Sequence, residues 1–149
     1  MKVKIVVVGK GEPAFSTLEA DYQKRTKAFP VELVEVKHFG EDQVARKREA
    51  EALLSKTPEK YLVLALDERG EVFTSQSFAK LFSDAQQRST PGLVFLLGGA
   101  SGHDPIIKER ADRLISLSSL TLPHKLARLV LIEQLYRASS IIRGEPYHK

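Results

Sequence analysis

The chain has 149 residues, 42% of them hydrophobic, a length and proportion that suit a single domain spanning 1–149 and burying roughly two-thirds of the surface its unfolded form exposes. It has no cysteine, which excludes disulfides, thiolate metal sites and a cysteine nucleophile, and its 4 histidines lack ligand spacing, so no metal is expected. Lysine and arginine outnumber aspartate and glutamate by 23 to 19, a net charge of +4 that suits a polyanionic partner without requiring one. No apolar run approaches the ~20 residues that span a bilayer, and Met1 leads straight into a strand-like segment. A cytoplasmic protein with no membrane partner is the expectation.

Taken in order, Lys2 to Val8 is a β-branched run that predicts a buried strand, ending in the turn Gly9-Lys10-Gly11-Glu12-Pro13. A dinucleotide fingerprint fails there, because Ala14 stands where the third glycine belongs and Pro13 intrudes. The next helix carries Phe15, Leu18 and Tyr22 on one face. Val31 to Val36 reads as a second strand, and Asp42 to Lys56 as a charged helix whose Arg46-Lys47-Arg48 cluster is either a solvated face or an RNA contact. Tyr61 to Leu66 is a third strand, closed by Asp67 and turned at Arg69-Gly70. A helix with Phe78, Leu81, Phe82 and Ala85 as its stripe follows, then a fourth strand, Leu93 to Leu97, introduced by Pro91-Gly92.

That strand runs into Gly98-Gly99-Ala100-Ser101-Gly102, where the glycines let a bulky ligand approach the backbone. A short helix from Pro105 and a brief strand near Leu114 to Leu117 precede a hydroxyl-rich segment that ends at Pro123. Proline there is suited to opening a helix, because it lacks an amide hydrogen that would have no partner. The final helix is apolar around most of its circumference, with Glu133, Arg137 and Ser140 as a narrow polar stripe. So wide an apolar surface calls for cover on two sides, by the protein's own sheet and by a second copy of the chain. Strands alternating with helices predict an α/β fold, a five-to-six-stranded, mostly parallel sheet with helices on both faces. Ligands in such sheets sit beyond the carboxyl ends of the strands, here after Leu66, Leu97 and Leu117.

Five blocks together resemble the RlmH family of SPOUT methyltransferases: Leu66-Asp67; Leu-Leu-Gly-Gly-Ala-Ser-Gly at 96–102; Leu-Ser-Ser-Leu-Thr-Leu-Pro-His-Lys-Leu-Ala-Arg at 117–128; Glu-Gln-Leu-Tyr-Arg-Ala at 133–138; and the terminal Pro-Tyr-His-Lys. The resemblance implies S-adenosyl-L-methionine as cofactor, methylation at N3 of a pseudouridine in helix 69 of 23S rRNA within the assembled ribosome, a homodimer, and a C-terminal deep trefoil knot that pattern reasoning alone would not propose. Matched residue by residue, it puts the cofactor against Leu66, Gly98, Gly99, Ser118, Ser119, Leu120, Thr121, Leu122 and Pro123. It also makes His148, Tyr147 and Arg137 candidates for catalysis, with the tail closing over a pocket, its own or the partner subunit's. Lys125, Arg128, Arg143 and His124 are the candidate RNA contacts. Two other readings remain at this level: a SPOUT enzyme with a different RNA target, and a non-catalytic ribosome-binding module that keeps the fold.

Overall fold

The computed structural model describes residues 1–149. Five strands, β1 (Lys2–Val8), β2 (Val31–Val36), β3 (Leu62–Val72), β4 (Gly92–Leu97) and β5 (Arg113–Ser116), form one parallel sheet in the order β2-β1-β4-β3-β5. The central β4 is buried along its whole length. Its alternate side chains serve two cores, Leu93, Phe95 and Leu97 on one face and Val94 and Leu96 on the other. This two-sided burial is why the strand reads as an unbroken apolar run rather than an alternating one.

Five helices cover the sheet: α1 (Ser16–Arg25), α2 (Gln43–Ser55), α3 (Ser75–Gln87), α4 (Pro105–Arg110) and α5 (His124–Ile142). On the first face, α3 supplies Phe78, Phe82 and Ala85 and α5 supplies Leu131, Ile132, Leu135 and Ala138. On the second, α2 supplies Ala50 and Leu53 and α4 supplies Ile107. Helix starts follow local chemistry. The Asp42, Thr74 and Asp104 side chains accept from the amides of Ala45, Ser77 and Ile106, each satisfying one donor that a helix's first turn leaves without a partner.

Three expectations change on folding. Strand β3 does not end at Asp67. It bulges over residues 67–70 and resumes, so that Ile115 of β5 lies opposite both Leu66 and Glu71, and Val72 lies opposite Ser116. The free edge of β5 supplies the partners that extend the strand, and an ion pair between Arg113 and Glu71 secures them. Glycine is required at 70, because a Cβ there would stand 2.7 Å from backbone atoms of Leu114 and Ile115. Leu18 is the second case: it is 44% exposed, and its neighbour Glu19 takes the buried position instead, since Arg128 of α5 receives that carboxylate at 3.1 Å. Third, Ser140 is fully buried rather than part of a polar stripe, because the tail folds back over it and the Glu145 amide donates to its carbonyl at 2.9 Å.

Candidate active site

Beyond the carboxyl ends of β4 and β5, and along the bulge of β3, lies a cleft of about 900 Å³. Its walls are the β3 bulge (Leu66 to Arg69), the glycine turn (Gly98 to Gly102) and the segment from Ser116 to His124. Eight of the nine residues matched to the cofactor line it: Leu66, Gly98, Gly99, Ser118, Leu120, Thr121, Leu122 and Pro123; Ser119 does not.

Each wall is held by its own short-range chemistry. Ser116 Oγ donates to the Ser118 carbonyl at 2.8 Å, and Ser118 Oγ accepts from the Leu120 amide at 2.9 Å, so these two hydroxyls fix the backbone of the segment. Thr121 Oγ1 donates to Glu68 across the cleft at 3.3 Å, tying two walls together. Asp67 accepts from the Arg69 amide at 2.8 Å and faces Lys108 at 3.5 Å; that amide bond, with Lys108 beside it, holds its carboxyl below the usual carboxylate range. At Gly98 a Cβ would stand 3.0 Å from the Gly102 carbonyl oxygen and 3.2 Å from His103 Nδ1, so the turn closes this tightly only around glycine.

His103 braces the turn from below. Its Nε2 lies 3.2 Å from the Leu96 carbonyl, an acceptor, so Nε2 carries the hydrogen. Burial pushes its pKa below the ordinary 6.5. One side chain runs against the usual rule for apolar groups: Leu120 is 77% exposed, presented to the cleft by the segment Ser118 has fixed.

The tail candidates assemble elsewhere. Tyr147 and Arg137 both donate to Glu133 Oε1, at 2.9 Å from the hydroxyl and at 2.8 and 3.1 Å from the guanidinium. Arg137 Nη1 lies 3.1 Å from His148 Nδ1, and because arginine only donates, that ring nitrogen accepts and the proton sits on Nε2. Burial and the bonds to Tyr22 and Glu133 keep the Tyr147 hydroxyl protonated far above its ordinary range. None of these residues lines the cleft. Ala127 is the last α5 residue to reach it, and Arg137 lies roughly 15 Å further along the helix axis.

The basic candidates also separate. His124 lines the cleft, and Lys125 sits beside it, 3.8 Å from Glu12. Arg143 is exposed at the other end of α5, paired with Glu145 at 2.6 Å. Arg128 is withdrawn from solvent: its guanidinium is buried against Glu19 and also bonds Glu35. Two carboxylates neutralise it, and it is not placed to meet a phosphate.

A family model described as "Predicted SPOUT methyltransferase" matches residues 1–148. The chain belongs to the SPOUT methyltransferase family. Among proteins similar to this SPOUT methyltransferase, each named "Ribosomal RNA large subunit methyltransferase H", one from Anaeromyxobacter sp. (strain Fw109-5) is 44% identical over 158 residues, and one from Gemmatimonas aurantiaca is 41% identical over 156. Both alignments cover 100% of each chain. The fold is also that of a Bordetella pertussis Tohama I protein whose crystal structure is described as a "Probable Methyltransferase", with a TM-score of 0.61 and 18% identity over 93% of this chain and 94% of that one.

Within this SPOUT methyltransferase, the sequence gives no sign that Arg46, Asp67, Glu68, Arg69, His103 and Lys108 form the charged half of the cleft, although Arg46 belongs to the cluster left open as an RNA contact. Asp67 and His103 stand inside or beside the motif blocks and were open to inspection. Arg46 arrives from α2, about fifty residues before the glycine turn, and only folding brings it there.

Proposed function

We propose that the protein transfers a methyl group from S-adenosyl-L-methionine to N3 of a pseudouridine in helix 69 of 23S rRNA, working as a cytoplasmic homodimer of one SPOUT domain each on the assembled ribosome. The observation that carries this reading is the convergence of the glycine turn and the 116–124 segment on one cleft, with Leu120 exposed between them. The residues present suit the cofactor. Leu66, Leu117, Leu120 and Leu122 offer apolar faces for adenine, the segment's backbone groups can read its edge, and the bare backbone at Gly98 and Gly99 admits ribose and methionine. A knotted C-terminal half is part of this reading, carried by the family resemblance.

When bound, the cofactor supplies an electrophilic methyl carbon on a sulfonium. Held by Leu66, Gly98, Gly99 and the 116–124 segment, it would give up that methyl to N3, with the electron pair left on sulfur and the N3 proton lost to water. The cleft's contribution is alignment at about 3–3.5 Å, which removes much of the entropic barrier. The tail's contribution is electrostatic. Arg137 is cationic and His148 presents Nε2–H, so these two are donors, while the one hydroxyl hydrogen of Tyr147 is engaged by Glu133. Such a set stabilises the anionic base left when N3 loses its proton, and His148 in this tautomer serves as donor rather than as general base.

In one protomer the tail cluster is remote from the cleft, which supports a site completed by the partner's tail. His124 and Lys125 at the cleft mouth, with Arg143 near the tail, are the RNA contacts in this reading, and base recognition rests on the shape of the assembled particle. Mass spectrometry of 23S rRNA nucleosides tests the proposal. Ribosomes lacking the modification, incubated with the protein and cofactor, gain a methyl group at N3 of one pseudouridine; a methyl group on another nucleotide or on a ribose oxygen refutes the target, and no transfer with no cofactor binding refutes the enzyme.

A further inference from the structure

Arg46 is the anomaly of the cleft. It stands on its wall, yet no side-chain atom of Arg46 makes a hydrogen bond or ion pair, and its Nε is sealed from solvent without a partner. Buried polar groups without partners are rare enough to need a cause, and a partly desolvated guanidinium with no counter-charge is a costly one. Helical spacing offers it two carboxylates. Asp42, four residues before, instead accepts from the Ala45 amide at 2.8 Å, and Glu49, three residues after, accepts at Oε2 from His38 Nδ1 and from the Phe39 amide, both at 2.9 Å. The fold has drawn both acids away and left the cation free.

The surroundings say which anion fits. Next to Arg46, α2 carries exposed Lys47 and Arg48, and the loop before it carries exposed Lys37. Lys37 and Arg48 both lie over the ring of Phe39, at 5.4 and 4.6 Å, which holds them in place on the outer surface. Against these stand Glu41, Asp42 and Glu51, none of them paired with a base. A single carboxylate needs one cation; a run of cations leading from cleft to outer surface suits a repeating polyanion.

We propose that Arg46 binds a backbone phosphate of the substrate RNA beside the base held in the cleft, and that Lys47, Arg48 and Lys37 continue the track along α2. The assignment rests on the RNA-methylating reading above and adds to it a residue and a direction for the strand. Arg46→Ala and Arg46→Lys test it by equilibrium binding to ribosomes across a salt series, alongside calorimetric titration with S-adenosylhomocysteine. Arg46→Ala is expected to bind ribosomes about tenfold more weakly, with a log–log salt slope shallower by about 1, and to keep wild-type affinity for S-adenosylhomocysteine. Arg46→Lys keeps the slope, because a point charge suffices for counterion release. Unchanged ribosome affinity and slope in Arg46→Ala overturn the assignment, and so does a loss confined to S-adenosylhomocysteine, which would make the anion the cofactor's carboxylate. Failure of the underlying reading looks different: wild-type protein then transfers no methyl group to ribosomal RNA, whatever the Arg46 variants do.

Discussion

Leu120 and His103 show how the two walls of the cleft depend on single side chains. A leucine left 77% exposed contributes nothing to folding until something covers it. Burying one is worth about 1.5–3 kcal/mol, so Leu120→Ala is expected to leave thermal stability unchanged and weaken S-adenosylhomocysteine by at least about tenfold in calorimetry. Equal affinity would move the adenine site elsewhere. His103 acts through protonation. Its folded-state pKa lies below the ordinary value of 6.5, so below that pH the unfolded chain takes up the proton first. Stability therefore falls as pH drops from 6.5 toward the folded-state pKa, and is fully present above that window. Denaturant titrations at pH 7.5 and 5.5 check this: His103→Gln, which still donates to the Leu96 carbonyl, loses less on acidification than wild type.

At the scale of elements, the polar joints between β3, β5, α1 and α5 decide more than the propensity of any one of them. Arg128 and Glu19 join α5 to α1 with side chains 7% and 6% exposed, and removing one partner strands the other's charge in the interior. Arg128→Ala is expected to destabilise the fold by about 3–5 kcal/mol in denaturant titration. A loss of ribosome binding with stability intact would return Arg128 to the RNA surface. Gly70 is the corresponding joint at the β3 bulge. A methyl group 2.7 Å from the β5 backbone must push the strands apart, and Gly70→Ala is expected to cost about 1–3 kcal/mol and to weaken cofactor binding, because Asp67, Glu68 and Arg69 move with it.

For the whole molecule the decisive fact is separation. The cleft is at one end of α5 and the Glu133–Arg137–Tyr147–His148 group toward the other, so the two groups that the proposed function joins lie apart within one protomer. A dimer in which each tail serves the other cleft makes a specific prediction. Mixing a cleft variant, Leu120→Asp, with a tail variant, His148→Ala, is expected to recover methyl transfer that neither shows alone, since the mixed dimer carries one intact site. No recovery on mixing, with dimers confirmed by light scattering, places each tail on its own chain.

The sequence determined the parts that depend on local chemistry. Apolar runs set five strands, aspartate and threonine caps set helix starts, and the glycine and hydroxyl-rich blocks mark two walls of the cleft. What it left open are consequences of which distant segments meet. Leu18 reads as core and Glu19 as surface until Arg128 arrives from over a hundred residues away, and Arg128 reads as a phosphate contact until two carboxylates claim it. Strand β3 reads as finished at Asp67 until β5 offers it an edge. Arg46 reads as either a solvated cation or an RNA contact until α2 packs beside the glycine turn and its own acids turn to other donors. Charge has no periodicity that reveals its partner; only the tertiary structure separates the charges that hold this fold from Arg46, whose buried Nε it leaves without a partner.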